Sequence, residues 1–145
     1  MCAVTAALEG VCAGRNVRAF FQTLRFPPYS APLWVWSIIG AVYYAIFGFV
    51  VFRLLSTAAP TGLVVATLAL ILAMMLGNAL ANLVIFRARN LYLSYVIGCI
   101  FAGLDLLLVA LVLPLDLVAA ATLAPYFIYR IYAVWWGRAL AKLNL

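Results

Sequence analysis

The chain has 145 residues, 70% of them apolar and only 8% charged, with a mean hydropathy of +1.24. A water-soluble domain needs a polar surface that this composition cannot supply, so the sequence reads as an integral membrane protein. At this length it forms one compact bundle with no attached soluble domain. Nine Lys and Arg against three Asp and Glu give a net charge of +6, but the basic residues punctuate apolar runs, a pattern that suits membrane topology better than nucleic-acid binding.

In chain order, residues 2–22 come first. They are apolar in "CAVTAAL" and "VCAG", with Glu9, Arg15 and Arg18 intruding. They lack a basic leading stretch, so a cleaved signal peptide is not expected, and they read as a short first helix. "LRFPPYSAPLWVW", residues 24–36, follows as a stiff loop, because proline fixes φ and biases the residue before it to extended forms. Four apolar runs then have the roughly 20-residue length of a membrane-crossing helix. They are Leu33–Leu55, Gly62–Phe86, Leu91–Leu113 and Leu117 to about Leu140, separated by "STAAPTG", "RARN" and "PLD". None shows the period-two alternation of a strand. The fold class is therefore all-α: a bundle of five transmembrane helices with a short first helix.

Charge sets the expected sidedness. With 2–22 as a helix, Arg15, Arg18, Arg25, Arg87, Arg89, Arg138 and Lys142 share one side and Arg53 lies near the other. The positive-inside rule then puts the N-terminus outside and the C-terminus in the cytoplasm, in a bacterial inner membrane or an organellar one. Ala69, Ala73, Gly77 and Ala81 recur every four residues. Such a ladder lets helices approach closely in lipid, either inside the bundle or along a homodimer seam. Two charges fall inside apolar runs. Asp105 lies roughly 13 Å from the Pro114 turn and Arg130 roughly 19 Å past Leu117, at 1.5 Å per residue. Their helices are consecutive and antiparallel, so a buried pair is expected, with Glu9 as the second choice of partner and snorkelling of Arg130 to the headgroups as the alternative.

His is absent, which removes the commonest general base and metal ligand. Cys2, Cys12 and Cys99 form no CxxC or metal spacing and read as small apolar fillers. No metal and no resident cofactor is expected. Asn78 is an amide inside an apolar run, with Asn82 as its one polar neighbour on the helix; it serves either as a pocket hydrogen-bond donor or as an interhelical tie. Tyr126, Tyr129, Ala133 and Trp136 share a face of the last helix, a stripe that suits packing as well as ligand contact. The sterol-type patterns "LAPYFIYR" and "RIYAV" in the same helix carry little weight. The 24–36 loop has two readings as well, an interfacial aromatic anchor or a lid at headgroup level.

"FFQTLRFPPYSAPLWVWSIIGAVYY" resembles the signature of the TspO/MBR family, the tryptophan-rich sensory proteins that include the translocator protein. Leu24, Pro27, Pro32, Trp34, Val35 and Tyr44 fall on its positions without a gap, with Phe20 and Phe21 in place of Trp-Tyr and Trp36 in place of Phe. Asn78, Phe86, "PYFIY" at 125–129 and Leu143-Asn144 resemble later motifs, so the likeness runs from about residue 20 to 144. It implies a single domain over 1–145, usually a homodimer, with a pocket opening toward the loop between the first two helices. Porphyrins, isoquinoline- and benzodiazepine-type compounds and, in animal members, cholesterol are ligands associated with the family.

Carried over position by position, the resemblance implies a pocket of Phe21, Trp36, Gly40, Tyr44, Asn78, Tyr129 and Ala133 under a lid containing Arg25, Pro27, Pro32 and Trp34. Three tryptophans of the family pattern are replaced, by Gly40, Ala81 and Tyr129. Light-dependent porphyrin breakdown in the family is attributed to those at the Gly40 and Tyr129 positions. The expectation is a receptor or binding protein for a planar hydrophobic ligand, a porphyrin or another tetrapyrrole, or a sterol-like molecule, rather than an enzyme. The alternatives are a light-dependent porphyrin-degrading enzyme, supported by Trp34, Trp36 and Tyr129, and a ligand-free structural subunit.

Overall fold

A computed structural model of the chain describes residues 2–57 and 61–144, the side chain of Thr57 excepted; the centre of the expected 56–62 turn, residues 58–60, lies outside them. Among the described residues the elements are helical: α1 (Cys2–Ala13), α2 (Val17–Gln22), α3 (Leu33–Thr57), α4 (Gly62–Asn82), α5 (Leu91–Val112) and α6 (Leu117–Asn144). The chain is an all-α membrane bundle, with α3 to α6 long and apolar enough to cross a bilayer and α1 a shorter apolar helix.

Residues 2–22 do not form one helix. Gly14 adopts φ +77°, which glycine takes without a Cβ penalty, and its N–H bonds back to Gly10 O at 3.1 Å, so α1 closes there and α2 starts afresh at Val17. Twelve residues of α1 give about 18 Å of rise, well short of a 30 Å hydrocarbon core. Helix α1 therefore lines one half of the bundle. Its Cys2 sulfur approaches Gly48, in the middle of α3, and the carbonyl of Val11, near its other end, accepts a hydrogen bond from Arg87 Nη2 at 2.8 Å.

The second long run is also interrupted. After α4 the backbone widens into a π-helical turn, Leu83–Arg87, closed by Ala88 N–H to Leu83 O at 3.0 Å. Capping follows ordinary polar chemistry. Thr61 Oγ accepts from Val64 N–H, Asn90 Oδ1 from Leu93 N–H, and Asp116 Oδ1 from Ala119 N–H, each relieving a free amide in a first helical turn.

The helices pack in a ring, in the spatial order α1, α4, α5, α6, α3 and back to α1. Its core runs through Phe47, Val50 and Leu54 of α3, Ile71, Met74 and Met75 of α4, Leu108 and Val112 of α5, and Ala119 and Leu123 of α6. Large apolar side chains that face away from it, such as Val65, Leu80, Ile100 and Ile128, present the outward surface that lipid would cover. The small-residue ladder divides between two environments. A Cβ on Gly77 would stand 3.0 Å from Phe101 Cζ, so Gly77 serves the α4–α5 contact, while Ala69 and Ala73 lie on the open surface.

Strand-like alternatives being absent among the described residues, helix direction alone orders the ends. The α1–α2 turn, the 24–36 loop, the end of α4, the start of α5 and the end of α6 gather at one end of the bundle, and with them all the basic residues except Arg53 and Arg130. At the far end Arg53 of α3 grips Asp116 before α6, with Nη2–Oδ2 at 2.8 Å and Nε–Oδ2 at 2.9 Å. That bond first, and then the Ala119 amide, holds the Asp116 carboxyl below the usual carboxylate range.

Candidate ligand cavity

Helices α1, α3, α4 and α6 do not close completely on one another. Between them, on the side of the loop, lies a cavity of about 570 Å³. Of the residues expected to line it, Phe21, Trp36, Gly40, Tyr44, Asn78 and Tyr129 do so. Ala133 does not. The Trp36 ring lies 6.1 Å from that of Tyr129, 6.3 Å from Tyr132 and 4.5 Å from Trp136, the three residues that surround Ala133 on α6. The indole thus packs among the rings that flank Ala133 on α6 and itself lines the cavity. A Cβ on Gly40 would meet nothing within 4 Å, so the missing side chain there leaves open space.

The upper wall is aromatic. Phe21 stacks on Phe86 of the π-helical turn at 6.0 Å and contacts Phe26 of the loop at 5.6 Å, and Phe26 in turn stacks on Trp136 at 6.5 Å. Aromatic pairs at these separations combine large apolar area with preferred ring geometry. The loop is tied to α6 by polar bonds. Trp136 Nε1 donates to Ser30 Oγ at 2.9 Å, Ser30 donates to Pro27 O at 2.7 Å, and Tyr132 O–H donates to Tyr29 O at 3.1 Å. Asn144 works like a strand edge: its Oδ1 accepts from Arg25 N–H and its Nδ2 donates to Arg25 O, both at 2.8 Å. Tyr29 sits at φ +64° in the turn so formed.

The expected lid residues therefore have separate roles. Arg25 contributes its backbone, and Pro27 is buried. Pro32 and Trp34 line a second, outer groove of about 650 Å³ together with Arg18, Gln22 and Phe26, and Trp34 is 64% exposed. The groove and the cavity share Phe21, Leu33 and Ser37 along their common wall.

The lower wall is polar. Arg130 lines the cavity and donates from Nε to Asp105 Oδ2 at 2.8 Å and from Nη2 to the Tyr126 hydroxyl at 2.6 Å. Its guanidinium also lies 5.3 Å from the centre of the Phe101 ring. A charge at this depth is costly unless paired, and the carboxylate with the ring faces supplies that pairing. Glu9 of α1 enters from the opposite side. Tyr44 O–H donates to its Oε2 at 2.7 Å and Asn82 Nδ2 to its Oε1 at 2.9 Å. Asn82 also donates to Asn78 O at 3.1 Å. Asn78 lines the cavity through a side chain that makes no hydrogen bond among the described residues, so it is not an interhelical tie here.

In the sequence Glu9 stands only as an interruption of an apolar stretch and a reserve partner for Arg130, and Asn82 only as a neighbour of Asn78. The available signal was the carboxylate itself, since an ionisable residue in a membrane helix marks a functional position by default. The cysteines remain thiols: Cys12 is buried, Cys2 half-buried and Cys99 exposed. Among the described residues no group of His, Cys, Asp or Glu could hold a metal ion.

A ring of apolar helices around an aromatic cavity with a polar floor defines a multi-pass membrane protein of ligand-binding architecture. More particularly, the chain matches the model of the TspO/MBR family over residues 1–137, and it belongs to that family. The match begins earlier than the motifs that suggested it, taking in α1 with Glu9, and stops before Leu143 and Asn144. No curated protein matches the chain.

Proposed function

We propose that the protein binds a planar hydrophobic ligand of the tetrapyrrole type in the cavity beneath the 24–36 loop, as a membrane receptor or carrier-like binding protein. The observation that carries this reading is the cavity itself. Its volume of about 570 Å³ falls within the range of small-molecule pockets, and it combines aromatic walls with a few convergent polar groups. Membership of the TspO/MBR family supports membrane sterol or tetrapyrrole binding in general. Rings such as Phe21, Trp36 and Tyr129 can stack on a macrocycle, which favours affinity without chemistry. Gly40 offers no side chain to exchange electrons with an excited porphyrin, and Tyr129 would have to lose a proton when oxidised.

The test is titration of the detergent-solubilised protein with octaethylporphyrin, a porphyrin that carries no carboxylates. Trp36 and Trp136 lie at the cavity wall, so their fluorescence reports occupancy. Saturable quenching with a Kd on the order of micromolar, about −8 kcal/mol, is expected. Under illumination the bound porphyrin's absorbance fades no faster than in empty micelles. Protein-dependent bleaching would replace this reading with the enzymatic one, and absence of quenching would leave a sterol-like ligand or a structural role.

A further inference from the structure

Three carboxylates occur in the chain, and their partners differ. Asp116 is paired with Arg53 and Asp105 with Arg130, each with a guanidinium nitrogen at 2.8 Å. Glu9 has no basic side chain within ion-pair distance among the described residues; it is held by the neutral donors Tyr44 and Asn82. Both of its oxygens accept a hydrogen bond. Of the ionisable groups that line the cavity, Arg130 is paired with Asp105, whereas Glu9 has no cationic partner among the described residues.

A second polar group points the same way. The hydroxyl of Tyr43 is buried and makes no hydrogen bond among the described residues, in a side chain 2% exposed that lines the same cavity. Leaving such a group unsatisfied costs free energy. Glu9 thus stands at a cavity whose remaining walls are largely aromatic and apolar, with the unpartnered Tyr43 hydroxyl buried within its wall.

We infer that the cavity selects a flat aromatic ligand carrying a cationic or N–H-bearing nitrogen at its edge, with Glu9 as the counter-charge. The inference rests on the reading of the cavity as a ligand site and adds the charge of the ligand to it. The protein's overall charge works in the opposite direction: at +6 it favours anions, so a preference for cations reflects the local groups of the cavity.

Three pyrene probes of one aromatic body separate the possibilities at neutral pH: cationic 1-pyrenemethylamine, uncharged 1-methylpyrene and anionic 1-pyrenecarboxylic acid. Binding is measured by fluorescence to the intact protein in an uncharged detergent, with partitioning into empty micelles subtracted. The expected result is about tenfold tighter binding of the amine than of methylpyrene, with the acid weakest. Glu9→Gln, which can still accept from Tyr44, removes the amine's advantage over methylpyrene. Equal binding of amine and acid by the wild-type protein, or an amine preference that survives Glu9→Gln, overturns the inference.

Tyr44→Phe guards against a Glu9→Gln protein that fails to fold. It strips one neutral donor from the carboxylate, so the amine's advantage widens; a narrowing overturns the inference. Failure of methylpyrene itself to bind the wild-type protein overturns the cavity reading, and the charge preference with it.

Discussion

At the scale of single residues, the internal ions carry the sharpest expectations. Arg130 and Asp105 meet through Nε and Oδ2 on antiparallel helices, and Tyr126 accepts a second guanidinium hydrogen bond. Removing one partner leaves the other as an uncompensated buried charge, a loss of about 3–5 kcal/mol in buried pairs generally. Asp105→Asn and Arg130→Gln should therefore each lower the thermal stability of the detergent-solubilised protein sharply. The double variant should be little worse than either single one; additive losses in that cycle would mean that no pair forms. Asp116 behaves differently because it lies outside the membrane-spanning helices. Its folded-state pKa is depressed, chiefly by Arg53, so the stability it confers is fully present above the carboxylate's ordinary value near 3.9 and fades as pH falls through the lower folded value. Melting curves of the wild type and Asp116→Asn should thus be well separated at neutral pH and converge in strong acid.

At the scale of elements, the 24–36 loop and the end of α6 form one unit. The reciprocal hydrogen bonds between Asn144 and the Arg25 backbone hold the start of the loop, while Trp136 and Tyr132 hold its middle. Asn144→Ala removes both Arg25 bonds at an exposed site, where each is worth about 1 kcal/mol, so global stability should change little. Amide exchange over residues 24–31 should accelerate several-fold. Unchanged exchange would show that the aromatic contacts alone hold the loop. The first helix shows the same interplay in another form. Gly14 closes α1 with a left-handed residue, and Gly14→Ala should destabilise the α1–α2 corner by about 1 kcal/mol, read as a lower melting temperature.

At the scale of the whole molecule, seven basic residues gather at the loop end of the bundle and Arg53 stands at the other. The positive-inside rule assigns the loop end, with Asn144, to the cytoplasm. A C-terminal tag should accordingly be inaccessible to an impermeant thiol reagent on intact cells and become labelled only after permeabilisation; labelling of intact cells would reverse the orientation.

The sequence by itself determined the class, the four long helices and the family, because each depends on local composition or on ordered spacing. A twenty-residue apolar run has few alternatives to a helix in lipid, where every backbone amide must be satisfied internally. It also brought Asp105 and Arg130 to comparable depths, since rise per residue on consecutive antiparallel helices is simple arithmetic. Other features belong to the tertiary structure alone. The break of 2–22 into α1 and α2 turns on one glycine's φ and on Arg87 reaching Val11 from a helix far away in sequence. The packing of the Trp36 indole among the α6 rings Tyr129, Tyr132 and Trp136 depends on how α3 meets α6. The meeting of Glu9, Tyr44 and Asn82 joins three helices whose spatial order, α1 beside both α3 and α4, is a property of ring closure. Periodicity places a side chain on a face of its own helix; only packing decides which neighbour that face meets.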